Sequence, residues 1–225
     1  MTQNQNARSY DAVLLDLDGT LADTAPDLAQ ALNQTLLYHD KETLPFDVIR
    51  PHVSHGGLAL IKLGFGFDEN HSDYATAREY LLNNYLHNIA QHTRLFEGMA
   101  ELLETLESNN TPWGIVTNKP AYLTTPLVKA LALDQRASCV VSGDTVAHSK
   151  PHPAPLIHAC KVMGVAAKQC LYIGDAKRDI EAGHNAGMTT LAAAFGYISD
   201  DDRVEEWQAD GIVHSALEIV DWIKH

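Results

Sequence analysis

The stretch Val13-Leu14-Leu15-Asp16-Leu17-Asp18-Gly19-Thr20 decides how this chain is read. An apolar, strand-like run ends in two carboxylates one residue apart, followed by a turn glycine and a hydroxyl. In an open α/β sheet, ligands gather at the carboxyl ends of the strands, so the pattern sets Asp16 at the mouth of the sheet. Alternation along the strand turns Leu17 away from that mouth and brings Asp18 back towards it. On its own the segment reads equally as a strand closing in a solvated Asp-Gly turn.

Three later segments favour a site. Trp113-Gly114-Ile115-Val116-Thr117-Asn118-Lys119-Pro120 is a second apolar run ending in a hydroxyl and a polar loop, which is what a phosphate oxygen needs from side chain and backbone donors. In Ser149-Lys150-Pro151-His152-Pro153, prolines stiffen the backbone around one fixed positive charge. Cys170-Leu171-Tyr172-Ile173-Gly174-Asp175 ends in another strand-end carboxylate, with Asp179 one helical turn beyond. Such an acid suits a hard, oxygen-preferring cation such as magnesium. Taken singly, these are an ordinary loop, a solvated lysine and a helix-surface acid. Their order along an alternating pattern of strands and helices makes them one constellation.

Strands are expected at Ala12–Leu17, Trp113–Thr117, Cys139–Ser142, Cys170–Ile173 and Thr189–Ala194, and helices at Met99–Glu107, Tyr122–Ala130, Pro155–Met163, Arg178–Ala186 and Ala216–Ile223. That alternation predicts an α/β fold, a parallel sheet with helices on both faces. Between Thr24 and about Phe96, apolar residues recur at helical spacing with no convincing strand, as in a helical insertion after the first strand.

The 225 residues allow one domain plus a modest insertion, and 45% hydrophobic residues are ordinary for a globular chain. No apolar run is long enough to span a membrane, and Met1-Thr2-Gln3-Asn4-Gln5-Asn6 is polar without a signal-peptide pattern, so a cytoplasmic enzyme without membrane association is expected. Cys139, Cys160 and Cys170 lack zinc-site spacing and read as reduced thiols. The twelve histidines are scattered, with no paired helical spacing that would hold a metal. A formal charge of −13 argues against a nucleic-acid partner. An acidic chain that binds an anion must concentrate positive charge locally, and Lys119 and Lys150 offer it.

The four-part set Asp16-Leu17-Asp18-Gly19-Thr20, Thr117, Lys150 and Gly174-Asp175 through Asp179 resembles the haloacid dehalogenase superfamily of phosphatases, over nearly the whole chain from about Ala12. The resemblance implies a Rossmann-like core of residues 1–23 and 97–225 and an all-helical (C1-type) cap of residues 24–96. It implies a Mg2+-dependent phosphomonoester hydrolase acting through an aspartyl-phosphate on Asp16. Asp18 would serve as acid and base, and Thr117, the Asn118 amide and Lys150 would hold the phosphate. Mg2+ would sit on Asp16, the Asp18 backbone carbonyl and Asp175, with Thr20 and Asp179 behind. Cap residues Arg50, His52, His55, Gly56 and Gly57 would contact the substrate; the Gly-Gly pair read alone is equally a helix-connecting turn.

The opening around Asp16 and the pair Gly196-Tyr197 resemble the phosphoglycolate phosphatase group. Pro112–Pro120 and Phe195-Gly196-Tyr197-Ile198, followed by an acidic run and Trp207, are similar to N-acetylmuramic acid 6-phosphate phosphatases. Both substrates are phosphorylated carboxylic acids. Ala176, where many relatives carry a small hydroxyl residue, and the positive pair Lys177-Arg178 depart from the family pattern. A phosphosugar mutase is the alternative within the same superfamily. A non-catalytic binding module would be expected to have lost Asp16 or Asp18, and a P-type ATPase needs transmembrane helices. The oligomeric state is left open by the sequence.

Overall fold

In the computed structural model, which describes residues 10–223, the chain runs β1 (Ala12–Leu15), β2 (Ala22–Asp23), α1 (Ala25–Tyr38), the short α2 (Phe46–Ile49), a 3-10 turn (Arg50–His55), α3 (Gly56–Phe65) and α4 (Tyr74–His87). It continues through β3 (Arg94–Leu95), α5 (Met99–Ser108), β4 (Trp113–Val116), α6 (Ala121–Ala130), β5 (Cys139–Val141), α7 (Ala154–Met163), β6 (Cys170–Gly174), α8 (Lys177–Ala186), β7 (Thr189–Ala193), β8 (Gly211–Val213) and α9 (Ala216–Ile223). Met1–Asn6, read above for a signal peptide, lie outside the described residues. Among the described residues no helix is long and apolar enough to cross a membrane.

All four residues of β1 are buried because the strand lies at the centre of a six-stranded parallel sheet ordered β5-β4-β1-β6-β7-β8. Its alternate side chains enter different cores. Val13 and Leu15 join Leu102, Leu106 and Ile219 from α5 and α9, whereas Ala12 and Leu14 join Leu156, Ala159 and Ala182 from α7 and α8. Helices therefore cover both faces, as the sequence pattern predicts. The order reverses beside β1, which makes its carboxyl end the crevice where such sheets take ligands.

Two strand features differ from the expectation. β8 is a three-residue edge strand paired with β7, too short and too weakly apolar to show a period in sequence. β2 and β3 form a two-residue antiparallel ribbon, Ala22 opposite Leu95 and Asp23 opposite Arg94. The segment 24–96, expected to lack strands, thus contains one at its end. The rest of that segment is helical, and it has its own core in which Leu32 and Leu36 of α1 meet Leu60 and Ile61 of α3 and Leu81 and Tyr85 of α4.

The two ends of this helical segment are tied together at the ribbon. Thr24 precedes α1 in the position of an N-cap, yet the Tyr197 hydroxyl takes that role, accepting from the amides of Thr24 at 2.6 Å and Ala25 at 2.9 Å. Buried Asp27, in the first turn of α1, accepts from the amides of His92 and Thr93 and from the Thr93 hydroxyl at 2.7 Å. Burial alone would raise the Asp27 pKa, but the Thr93 and His92 hydrogen bonds outweigh it and hold the carboxyl below its ordinary value.

Replacing Asp27 with Ala is expected to cost about 2–3 kcal/mol in urea unfolding, because the Thr93 donors lose their acceptor. A depressed folded-state pKa contributes stability above the unfolded value of about 3.9, and that contribution fades as pH falls through the folded value. The gap between the wild type and Asp27→Asn should therefore narrow with acid, and a gap independent of pH would contradict the assignment.

Candidate active site

Three neighbouring strands bring their carboxyl ends to one place. Asp16 follows β1, Thr117 follows β4 and Asp175 follows β6, and Leu15 lies in register with both Ile115 and Ile173. Strand alternation is not what presents Asp18. The strand stops at Leu15, and the Leu17 carbonyl accepts from the amides of Leu21 and Ala22, so the chain bends into a tight turn. The Asp18 carboxylate then meets the Thr24 hydroxyl at 2.6 Å and the Lys119 ammonium at 2.7 Å. Gly19 sits at φ +86°, and a Cβ there would collide with the Asp175 carboxylate. Only glycine allows the turn to lie so close to that acid.

Lys150 organises the floor of the site. Its buried ammonium lies 2.8 Å from Asp16, 2.7 Å from Asp179, 2.9 Å from the Tyr172 hydroxyl and 2.9 Å from the Val116 carbonyl. Burial would push Lys150 down, but Asp16 and Asp179 offset it and hold the group above its ordinary pKa. Its backbone is clamped from β4: the Asn118 side chain donates to the Lys150 carbonyl at 2.9 Å and accepts from the Lys150 amide at 3.0 Å. Asp179 also accepts from Tyr172 at 3.1 Å and from the Ala176 amide at the start of α8 at 3.1 Å.

Asp16, Asp175 and Asp179 are all buried, and each offers a carboxylate oxygen such that the three atoms lie within 4.8 Å of one another. Burial, with Asp179 adding to it against the pull of Lys150, raises Asp16 to about 6. Burial and then Asp16 and Asp179 raise Asp175 to about 7. Three acids face Lys150 and the guanidinium of Arg178, so the cluster is left net negative. Hard oxygen donors and unrelieved like-charge repulsion fit a small dication such as Mg2+. The Asp18 carboxylate is not in this cluster. Thr20 donates to Asp175 over a long 3.4 Å, while Ser54 donates to it at 2.7 Å and the Tyr197 amide at 3.0 Å.

Above these acids lies a cavity of about 490 Å³. Its floor includes Asp16, Asp18, Thr117, Asn118 and Lys119, and the helical segment supplies the far wall, including His55, Gly56 and Gly57. Arg50 and His52 do not line it. One Arg50 nitrogen contacts both Asp23 oxygens at 2.8 Å, and the guanidinium stacks 4.9 Å from the Tyr197 ring centre, so it braces the ribbon instead. Residues that sequence reasoning did not single out include Tyr172, Ser54, Thr24, Tyr85 and Arg78. Tyr172 was hidden inside an apolar strand, and Ser54 lies in a turn of generic polarity. Arg178, noted above only as a departure, donates to the Ser54 carbonyl at 2.6 Å. Burial pushes the Tyr85 hydroxyl up to about 12, so it stays protonated beside Lys119.

The family model for haloacid dehalogenase-like hydrolases matches residues 13–193. An N-acetylmuramic acid 6-phosphate phosphatase of Pseudomonas putida is 39% identical over 208 residues, covering 92% of this chain and 93% of that protein. A phosphoglycolate phosphatase of Xanthomonas campestris pv. campestris is 42% identical over 206 residues, covering 90% and 91%. Among solved structures, a predicted phosphoglycolate phosphatase of Haemophilus somnus superposes with a TM-score of 0.85 at 25% identity, covering 96% and 98%.

Raised carboxyl pKa values have a consequence for the metal-free protein. Between about pH 4 and 7 the folded state holds protons that the unfolded chain has released, so these acids cost stability increasingly as pH rises. Asp175→Asn should therefore melt above the wild type in EDTA, by a margin that widens from pH 4 to pH 7. Adding Mg2+ at pH 7 should raise the melting temperature of the wild type and not of the variant. A variant that melts lower at every pH would contradict the repulsion described here.

Proposed function

This chain belongs to the haloacid dehalogenase-like hydrolases, and on that premise we propose that it is a Mg2+-dependent phosphatase that removes the phosphoryl group from a small phosphorylated carboxylic acid through an aspartyl-phosphate on Asp16. The observation that carries the proposal is the convergence of Asp16, Thr117 and Asp175 at the ends of three adjacent parallel strands, with Lys150 against Asp16, below a cavity. Relatives bearing the two names are about equally similar, so both phosphoglycolate and N-acetylmuramic acid 6-phosphate are candidate substrates. The phosphomutase alternative draws no support from these relatives, whose names are those of phosphatases.

A carboxylate attacks a phosphate dianion poorly, since the two repel. Lys150, held against Asp16, offsets charge on the nucleophile and aims its oxygen. Thr117 and the Asn118 amide supply donors for phosphate oxygens as charge shifts in the transition state. Asp16 forms a bond to phosphorus as the ester P–O bond breaks, and protonated Asp18 gives its proton to the leaving alkoxide. Asp18 then takes a proton from water as the water oxygen attacks phosphorus, which returns Asp16 as a carboxylate and releases inorganic phosphate. To do this, Asp18 must exchange its bonds to Thr24 and Lys119 for the leaving oxygen. Asp16, the Asp18 carbonyl and Asp175, with Asp179 and Thr20 behind, would hold Mg2+, which would supply charge neutralisation for nucleophile and phosphate.

In this proposal residues 24–96 act as a cap over a core of residues 1–23 and 97–225, with the β2–β3 ribbon as its stem. A cytoplasmic setting belongs to the same proposal.

Phosphate release with Mg2+ should be measured on phosphoglycolate and N-acetylmuramic acid 6-phosphate. Asp16→Asn is expected to lower kcat at least about a thousandfold on whichever is hydrolysed, and activity near that of the wild type would remove the covalent step.

A further inference from the structure

Three basic residues line the cavity, and two of them are engaged. Lys119 is paired with Asp18 at 2.7 Å. Arg178 is held by the Ser54 carbonyl and faces the acidic cluster. Arg78 is different: it is exposed on the cavity wall, and none of the ion pairs or side-chain hydrogen bonds among the described residues uses it. A fork of guanidinium donors without a partner, in a cavity that opens onto a phosphate site, is suited to a planar anion.

Position along α4 sets a length. Tyr74, Arg78, Leu82 and Tyr85 line the cavity from one face of this helix. Tyr85 marks the chemical end, since Lys119, the partner of Asp18, lies 4.7 Å from its ring centre. The Tyr85 hydroxyl is buried at that end, beside Lys119. Arg78 is seven residues back along the helix, about 10 Å at 1.5 Å per residue. Gly57, in the first turn of α3, lies alongside, where a Cβ would be 3.6 Å from Arg78 Nε. Between the two ends the wall is apolar, with Val53, Leu58 and Leu82. A two-carbon acid would leave most of a 490 Å³ cavity to water.

We propose that Arg78 is the residue that selects the substrate, by binding a carboxylate at the far end of a sugar-sized phosphomonoester, so that the substrate class is a phosphorylated sugar acid. The inference rests on the phosphatase reading above. The carboxylate takes two guanidinium donors, and the sugar body covers the apolar wall.

The test compares kcat/KM, with Mg2+, for N-acetylmuramic acid 6-phosphate, for N-acetylglucosamine 6-phosphate, which is the same sugar phosphate without the lactyl carboxylate, for phosphoglycolate and for p-nitrophenyl phosphate. The wild type should favour the sugar acid over both the carboxylate-free sugar and phosphoglycolate. Arg78→Ala should lower the ratio of sugar acid to carboxylate-free sugar about 10- to 100-fold, mainly through KM, with Arg78→Lys between. A ratio that Arg78→Ala leaves unchanged, including one in which both substrates lose equally, overturns the inference. So does a wild-type preference for phosphoglycolate, or turnover of p-nitrophenyl phosphate with neither sugar cleaved, and in those cases the phosphatase reading stands. A wild type that cleaves none of the four removes the phosphatase reading and the Arg78 inference with it.

Discussion

A buried ammonium between two buried carboxylates is the constraint on which the site depends. Lys150 has no water to fall back on, and neither has Asp16 or Asp179. Taking these ions out of water costs several kcal/mol each, which only close pairing and complete hydrogen bonding can offset. The structure meets that demand from four directions at once, through Asp16 after β1, Val116 in β4, Tyr172 in β6 and Asp179 in α8. A single side chain therefore locks the relative height of three strands and one helix. The same contacts fix the direction of the Asp16 oxygen, so the charge that holds the floor together also orients the group proposed to attack phosphorus.

Asp175 carries the opposite part of the balance. It has no lysine, and its oxygens rely on Ser54, Thr20 and the Tyr197 amide. Two of those donors come from the loop after the last expected strand and from the turn before α3, so the acid cluster is linked to both the core and the helical segment. Tyr197 extends the link: its amide serves Asp175, its hydroxyl caps α1, and its ring carries Arg50. Gly196 must be glycine beside it, because a Cβ would meet the Gly19 carbonyl and the Asp175 side chain. The site and the stem of the helical segment thus share residues, and neither can shift far without straining the other.

The sheet and its helices were legible because the interior strands are continuous apolar runs, three of which are followed directly by a polar candidate residue. Asp16, Thr117 and Asp175 could be placed from that rule alone. What stayed hidden was decided by partners distant in sequence. The role of Arg50 depends on Asp23 and Tyr197, which are 27 and 147 positions away, so a basic residue in the expected specificity loop proves to be a brace. Thr24 has the position and chemistry of an N-cap, yet its hydroxyl goes to Asp18 because Tyr197 already satisfies the helix start. β8 escaped notice because its three residues, Gly211–Val213, open on a glycine and offer only two apolar positions, whereas the other three-residue edge strand, β5, is apolar throughout. Lys119 was visible as a charge, but not as the partner of Asp18, since that contact joins two strand ends.

Charge explains how so acidic a chain can host an anion. With a formal charge of −13, the long-range field repels phosphate esters, and screening at physiological salt limits that repulsion to about 8 Å. Inside the cavity the local balance is different. Arg78, Lys119 and Arg178 stand on its walls against Asp16 and Asp18, Lys150 lies beneath Asp16, and the low-dielectric surroundings strengthen each of these interactions. The positive groups are also separated in function. Lys150 and Arg178 are committed to the acidic floor and Lys119 to Asp18, which leaves the far wall as the place where a second negative group on the substrate meets an uncommitted cation. A substrate with one anionic end would satisfy the floor and leave that cation unanswered, whereas one with a negative group at each end matches the charge pattern along the whole cavity.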